Sequence, residues 1–396
     1  MMSARKIRNA YTVYNQARLI AGGAPYFRLM EELIDGAQHI IHLQVYIFDD
    51  DETGRRIAAA LKRAAARGVA VYVLADGYAS QSLRGAFADE LAAAGVQFSF
   101  FQPLFRSRHF YFGRRLHIKV LVADGRRSLV SGRNISDRYN DINGQQAWLD
   151  WALHTEGEAP ARLARICERR WNAAIFRPRC SRSTPAPLPA PQTLIRPRVN
   201  DWVWRQTQIT NCYFELVRSA QQHIIIQSSY FWPSANLLKM IARAAKRGVR
   251  VQLLLAGMSD VQTSKYAERY LYSFLFRHGI EVYEYQDNVL HGKMAVCDRR
   301  LMTVGSYNVN NISALASIEL NMEVKDEAVA QQAHDALTAV INHHCMQMTA
   351  AGYARRYNAL QRLVHYLAYK LVHLLFFLTT FYFRQEPVAT AKKRAR

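Results

Sequence analysis

The sequence predicts an α/β protein of two similar halves, each with a mixed sheet flanked by helices, followed by a C-terminal apolar helix. Nearly continuous apolar, β-branched runs alternate with alanine-rich helical stretches, as sheets covered on both faces require. The same series of segments also occurs twice. The first half contains AQHIIHLQVYIF, AAARGVAVYVLADG and AAGVQFSFF, and the second contains QQHIIIQSSYFW, RAAKRGVRVQLLLAG and RHGIEVYEY.

A proline-rich segment separates the halves. Residues 177–200 hold six of the eleven prolines of the chain, and such a stretch is typical of a semi-rigid linker. A length of 396 residues suits two domains of ordinary size. We therefore predict domains over 14–176 and 201–345, the linker over 177–200, and an amphipathic helix over 355–384.

Charge and cysteine content narrow the functional classes. Lys and Arg total 52 against 31 Asp and Glu, so the net charge is +21. This surplus favours an anionic partner, which is nucleic acid, anionic lipid or a phosphorylated substrate, over a basic surface kept for solubility. Five cysteines without a CxxC pair argue against a disulfide framework or a structural zinc site, and favour a reducing compartment.

Four polar residues of the first half recur 174 residues later in the second. The pairs are His117 and His291, Lys119 and Lys293, Asp124 and Asp298, and Asn134 and Asn308. Histidine and lysine two residues apart on a strand point to the same face. A single such pair would be an ordinary strand pattern, but its duplication predicts that the two sets form one site.

These residue types suit phosphoryl transfer. A neutral imidazole can attack phosphorus, and a second, protonated imidazole can give its proton to the leaving alkoxide. The two rings must then lie on opposite sides of the phosphorus, because attack and departure are in line. Lysine and asparagine can hold the phosphate oxygens. We predict neither a metal nor another cofactor.

The duplicated residues resemble the HxKx4D…GSxN signature of the phospholipase D superfamily, and the likeness runs from about Tyr14 to Glu323. Within that superfamily, YIFDDDETG, the RGV turn, the long loop before His117 and SGRN in place of GSxN resemble short bacterial cardiolipin synthases. The resemblance implies transfer of a phosphatidyl group between lipids through a phosphohistidine. It implies His117 as nucleophile and His291 as general acid and then base, although the reverse assignment stays open.

The resemblance also implies roles for the remaining site residues. Those expected to hold the phosphate are Lys119, Lys293, Asn134, Ser306 and Asn308. Asp124 and Asp298 complete the catalytic motif, where bracing of the hairpins is favoured over contact with substrate. An acidic residue is expected to orient each histidine, with Glu319 suited to His291 and Asp150 suited to His117.

Two further segments point to membranes. The loop QPLFRSRHFYFGRR, at 102–115, mixes arginines with aromatic residues, which suits a lipid surface or the stacking of single-stranded nucleic acid. Near the C-terminus an apolar stripe recurs at helical spacing. It comprises Leu360, Leu363, Val364, Leu367, Leu371, Leu374, Leu375 and Leu378. With the basic tail KKRAR, it predicts a helix lying on an anionic membrane surface, and a helix docked on the enzyme or in a dimer is the alternative.

The predicted function is that of a cardiolipin synthase-like phosphatidyltransferase. It moves a phosphatidyl group from phosphatidylglycerol, or another phospholipid, to an alcohol of a second phosphatidylglycerol. We expect a peripheral enzyme on the cytoplasmic face of the cell membrane. Hydrolysis of phospholipid is the main alternative. A nuclease is less favoured because of the apolar tail, and an inert binding protein because both His-Lys-Asn sets are intact. The oligomeric state stays open.

Overall fold

The computed structural model describes residues 10–83, 85–102, 114–174 and 193–384. Most of the predicted linker, most of the loop at 102–115 and the basic tail lie outside these ranges. The described chain forms two sheets, one from each half.

The first half is a seven-stranded sheet with helices on its faces. Its strands are β1 (Asn15–Ala21), β2 (Ile40–Val45), β3 (Ala70–Asp76), β4 (Gln97–Phe101), β5 (Val120–Ala123), β6 (Arg127–Ser131) and β7 (Trp151–Gly157). Its helices are α1 (Gly23–Asp35), α2 (Glu52–Ala66), α3 (Ala86–Ala93) and α4 (Glu158–Ala174). The strand order is β1-β7-β6-β5-β2-β3-β4.

The second half is a nine-stranded sheet. Its strands are β8 (Leu194–Asp201), β9 (Gln206–Thr207), β10 (His223–Ser228), β11 (Arg250–Met258), β12 (Glu281–Val289), β13 (Met294–Cys297), β14 (Leu301–Gly305), β15 (Glu319–Lys325) and β16 (Cys345–Met348). Its helices are α5 (Gln208–Ser219), α6 (Ala235–Lys246), α7 (Gln262–Tyr270), α8 (Tyr272–Arg277), α9 (Asn311–Leu315), α10 (Glu327–His344), α11 (Ala350–Arg356) and α12 (Ala359–Arg384). The strand order is β16-β12-β11-β10-β13-β14-β15-β8-β9.

The two sheets repeat one topology. Strands β2, β3 and β4 are parallel, as are β10, β11 and β12. The hairpin β5-β6 lies antiparallel beside β2, and β13-β14 lies in the same way beside β10. All six residues of β2 are buried, as a central strand covered on both faces requires. The predicted duplicated α/β fold with mixed sheets is confirmed.

The second sheet begins before the predicted domain start at residue 201. Strand β8 starts at Leu194, inside the segment predicted as linker, and pairs along its length with β15. Pro197 is tolerated there because β9 pairs only with the last two residues of β8, and the one bridge to the earlier part on that side, from Thr12, is at Ile195. Proline content alone therefore placed the end of the linker too late.

The halves share one hydrophobic core. Its buried side chains come from both sheets, among them Val130 and Leu153 of the first and Met302 and Met322 of the second. Residues of α4 and α10 belong to the same core. Two sheets that share a core in this way are held at a fixed separation, so loops from both can build one site between them.

Candidate active site

Each His-x-Lys segment crosses to the other half of the protein. The backbone N–H of His117 donates to the carbonyl of Ile318 at 3.0 Å, and the N–H of His291 donates to the carbonyl of Leu149 at 2.8 Å. Parallel bridges join Leu116 to Ile318 and Leu149 to Leu290. Both segments are extended and end where β5 and β13 begin, so each histidine lies against the start of a strand from the opposite sheet.

This crossing gives each histidine a carboxylate from the other half. Nδ1 of His117 lies 2.9 Å from Oε2 of Glu319, and Nδ1 of His291 lies 2.7 Å from Oδ2 of Asp150. Both carboxylates are fully buried. The sequence-based pairing, Glu319 with His291 and Asp150 with His117, is therefore wrong, because it placed each carboxylate with the histidine of its own repeat.

The hydrogen bonds fix the tautomer of both rings. A carboxylate can only accept, so Nδ1 carries the proton in each histidine and Nε2 keeps its lone pair. Burial, with the charge of Lys119, lowers the pKa of His117 against the opposing effect of Glu319. Burial, with the charge of Lys293, lowers the pKa of His291 to about 3. Both rings are thus neutral bases at neutral pH in the absence of substrate.

Two buried lysines supply the positive charge. Nζ of Lys119 donates to the carbonyl of His117 at 2.7 Å, and Nζ of Lys293 donates to the carbonyl of His291 and, at 3.0 Å, to Oγ of Ser229. Burial lowers the pKa of Lys119 to about 7 and that of Lys293 to about 8, although nearby carboxylates oppose the shift. The charge of Lys293 contributes to the low pKa of His117, and that of Lys119 to the low pKa of His291, so both sets act in one site.

The two carboxylates are supported differently. Oγ of Ser306 donates to Oε2 of Glu319 at 2.5 Å. The position 174 residues earlier is Gly132, where an added Cβ would lie 2.6 Å from Oδ2 of Asp150. The order Ser-Gly in the first half, against Gly-Ser in the second, therefore has a steric cause. Ser306, expected among the phosphate ligands, instead holds the partner of His117.

Arg133 supports Asp150 from behind. Its side chain is buried, lies with its guanidinium carbon 5.3 Å from the ring centroid of Tyr26, and donates through Nη2 to the carbonyl oxygen of Asp150. Burial by itself would raise the pKa of Asp150, but the hydrogen bond from His291 and the charges of Lys293 and Arg133 hold that pKa below its usual value. Asp150 is thereby kept ionised.

The two motif asparagines make different contacts. Asn134 accepts from the backbone N–H of Ile47 at 3.1 Å and donates to the hydroxyl of Tyr139 at 2.8 Å. Asn308 is buried, and its Oδ1 has no hydrogen-bond partner among the described residues. Its neighbour Val309 donates its N–H to Ser228, which precedes the serine that binds Lys293. Asn308 is thus the asparagine with a free amide oxygen beside the site.

The motif aspartates lie away from the histidines. The carboxylate of Asp124 accepts from three backbone N–H groups just before and at the start of β2, at 2.8 to 2.9 Å, and Asp298 does the same at β10. These donors hold the pKa of Asp124 below its usual value although burial opposes the shift. Both residues have positive φ at the hairpin turns. These contacts support the bracing role that the sequence favoured over contact with substrate, so neither residue is kept among the catalytic residues.

Aromatic rings surround the histidines, and the duplicated motif did not predict them. The ring centroid of Tyr46 lies 4.8 Å from that of His117, while Tyr139 and Trp148 lie 5.0 and 6.0 Å from His291. Tyr46 directly follows β2, at the carboxyl end of a central parallel strand, where ligand sites are common in open α/β sheets. The position of Tyr46 directly after a predicted central strand could have identified it as a site residue.

Comparison with known proteins identifies the family of this chain. Residues 30–166 and 213–341 match the family model described as "Cardiolipin synthase, PLD-like domain". The chain is 34% identical to cardiolipin synthase B of Salmonella typhi over 351 residues, covering 84% of this chain and 82% of that protein. Its identity to cardiolipin synthase B of Escherichia coli K12 is 32% over the same length, with the same coverage of both chains.

A solved structure supports the fold. Phosphatidylserine synthase of Haemophilus influenzae superposes with a TM-score of 0.71 and 15% identity, covering 93% of this chain and 96% of that one. At this identity the likeness shows the fold alone. Together with the sequence matches, it confirms the resemblance that the duplicated motif indicated: the chain is an enzyme of the phospholipase D superfamily and belongs to the family of cardiolipin synthases with phospholipase D-like domains.

Proposed function

We propose that this enzyme is a phosphatidyltransferase that makes cardiolipin from two molecules of phosphatidylglycerol. The observation that carries the proposal is the exchange of carboxylates between the halves, which puts two neutral imidazoles and two buried lysines into one site. An anionic phosphodiester entering this site meets positive charge from both halves. The names of the related enzymes supply the lipid class.

The first chemical step forms a covalent intermediate. Nε2 of His117 attacks phosphorus, an N–P bond forms, and the P–O bond to the glycerol headgroup breaks. Nε2 of His291 gives its proton to the departing oxygen. Because burial keeps this ring neutral in the free enzyme, His291 takes up this proton from solvent when the phosphodiester binds, since the negative charge of the phosphodiester raises the pKa of the ring.

The second step reverses the first with a different alcohol. A hydroxyl of a second phosphatidylglycerol loses its proton to Nε2 of His291, an O–P bond forms, and the N–P bond to His117 breaks. The cation at His291 is stabilised by Asp150 and the phosphoryl oxygens by Lys119 and Lys293. His117 returns to the neutral base, and His291 ends the step protonated at Nε2, able to protonate the next departing headgroup or to release the proton to solvent when the product leaves.

Purified protein incubated with phosphatidylglycerol vesicles should release glycerol and form cardiolipin in equal amounts. His117→Ala should abolish both products, whereas His278→Ala, at an exposed histidine outside the site, should not. Mass spectrometry of the lipids separates the alternatives. Phosphatidic acid as the sole lipid product would show that the enzyme is a hydrolase and not a transferase. Cleavage of DNA or RNA that depends on His117 would show that it is a nuclease.

We further propose that helix α12 attaches the enzyme to the surface of an anionic membrane. The stripe residues up to Leu375 point away from the protein, with exposed fractions of 54% at Leu367 and 47% at Leu371. The opposite face packs on the protein, where Nδ1 of His365 lies 3.0 Å from the hydroxyl of Tyr353. Within the described ranges, no helix meets the length and hydropathy needed to cross a bilayer. An apolar face left open on a helix fixed by its other face supports binding in the plane of the membrane.

We also propose that exposed apolar residues form a rim of the site. Met258 and Val261 flank the loop after β11, and Ile312 and Leu315 lie on α9, which follows the second motif asparagine. Helix α9 contacts α12, so the rim and the stripe belong to the same side of the protein. This arrangement supports an opening that faces the membrane. We propose that the enzyme binds the cytoplasmic side of that membrane.

Replacing Leu367 and Leu371 together with glutamate should release the enzyme from phosphatidylglycerol vesicles. The double substitution removes two apolar contacts with the interface and adds negative charge, so we expect the bound fraction in a sedimentation assay to fall at least about tenfold. Gln97→Glu with Gln222→Glu adds the same charge at exposed positions near the amino ends of strands, opposite the site, and serves as control. Equal binding of both double variants would contradict a membrane role for α12.

A further inference from the structure

The two halves of the site differ in the carboxylate at the end of the second parallel strand. In the first half this residue is Asp76, the last residue of β3. It is buried and accepts from the backbone N–H groups of Leu116, Tyr78 and Ala79, and it pairs with Arg115 at 3.5 Å. The negative charge of Asp76 is thus balanced by hydrogen-bond donors and an arginine of the protein itself.

In the second half the carboxylate lies further along the loop and is open. Asp260 follows β11, is exposed, and accepts from the hydroxyl of Tyr230 at 2.5 Å. Among the described residues, Tyr230 is the one hydrogen-bond donor to this carboxylate. Asp260 therefore keeps free acceptor sites on its exposed carboxylate.

Asp260 belongs to the side of the site that contains His291. Tyr230 directly follows Ser229, the residue that accepts from Nζ of Lys293. Tyr139, whose ring contacts His291, is near enough that the charge of Asp260, after burial, helps to raise its pKa. The charge of Asp260 also opposes the lowering of the pKa of Lys293. The charge of Asp260 thus reaches Tyr139 and Lys293, and both of these residues contact His291.

The chemistry of a carboxylate selects its ligand. An anionic acceptor repels the phosphodiester and attracts groups that donate hydrogen bonds. In the proposed reaction the leaving and the incoming alcohol occupy the same side of the phosphorus, opposite His117 and beside His291. A carboxylate on that side meets the part of both alcohols that extends beyond the reacting oxygen.

We propose that Asp260, held by Tyr230, is the binding group for the second hydroxyl of a polyol headgroup, so that the enzyme selects alcohols with adjacent hydroxyl groups. This inference rests on the proposed function and adds its alcohol specificity. Asp260 does not transfer a proton to the reacting oxygen. It is a specificity-determining residue that serves departure of one headgroup and entry of the next.

The test is a competition between small alcohols. The enzyme is incubated with phosphatidylglycerol vesicles and equal concentrations of isotopically labelled glycerol and propan-1-ol. The two products, labelled phosphatidylglycerol and phosphatidylpropanol, are then quantified. We expect the wild-type enzyme to favour glycerol roughly tenfold or more, because a hydrogen bond to a charged group is at stake. Asp260→Ala should bring the product ratio to about one.

Controls keep the outcomes separate. Asp89→Ala removes an exposed aspartate of α3 and should retain the wild-type ratio. Asp260→Asn keeps the shape of the side chain and one acceptor oxygen, and should give an intermediate ratio even where the alanine variant fails to fold. A wild-type ratio in both Asp260 variants overturns the inference. Preference of the wild-type enzyme for ethanolamine over glycerol also overturns it, in favour of an ammonium site. A wild-type enzyme that transfers no phosphatidyl group at all overturns the proposed function and this inference with it.

Discussion

His117→Ala is expected to prevent formation of the phosphoenzyme, whereas His291→Ala is expected to make it accumulate. A lipid with a p-nitrophenol headgroup separates the two steps, because this headgroup leaves without a proton from a general acid. The His291 variant should then release p-nitrophenol in a burst equal to the enzyme concentration and discharge slowly, since no base activates the incoming alcohol. The His117 variant should show no burst, with turnover reduced on the order of 10³-fold or more.

The covalent adduct can be identified directly. Acid-quenched protein is digested under alkaline conditions, which preserve phosphohistidine, and the modified peptide is located by mass spectrometry. A burst in the His117 variant and none in the His291 variant would reverse the assigned roles. Bursts in both would contradict a histidine nucleophile, and His278→Ala should behave as wild type.

Exchanging the buried carboxylates for amides should slow different steps. An amide in place of Glu319 can present an N–H to Nδ1 of His117, which moves the ring proton to Nε2 and removes the nucleophilic lone pair. We expect Glu319→Gln to slow the burst by about 10²- to 10⁴-fold. Asp150→Asn should leave the burst from the p-nitrophenol lipid and slow its discharge by a similar factor, because it acts on His291.

This pair of variants tests the crossed geometry. If each carboxylate served the histidine of its own repeat, Asp150→Asn would slow the burst and Glu319→Gln the discharge. Stopped-flow absorbance of p-nitrophenol measures the first step, and lipid product formation measures the second. Asp298→Asn is the matched control, since its carboxylate binds backbone N–H groups at a hairpin, and we expect a lower melting temperature with both steps retained.

Much of the fold followed from local pattern. Buried apolar runs and alanine-rich helical stretches, each recognisable within a short stretch of chain, were enough together with the repeat at 174 residues to predict two α/β halves. The residues around His117, Lys119, His291 and Lys293 were found for the same reason. The start of β8 was missed because Pro197 suggested a linker, while pairing with β15 is a contact over more than a hundred residues.

The errors at the site also have a physical cause. Which carboxylate meets which histidine is decided by the bridges Leu116–Ile318 and Leu149–Leu290, which join different halves and leave no mark in spacing. Ser306 has the residue type of a phosphate ligand, but its hydroxyl is used by Glu319. The repeat therefore predicts which residues belong to the site better than it predicts which of them contact each other.

Because of the crossed bridges, catalysis requires both halves of the chain to be folded and in contact. A slight parting of the two lobes would separate both rings from their carboxylates at once, before either lobe lost its own secondary structure. A lobe expressed alone would contain a histidine without its orienting carboxylate. Two copies of one lobe related by a twofold axis would each supply the carboxylate to the histidine of the other copy. Turnover is therefore a direct measure of whether the two lobes stay together.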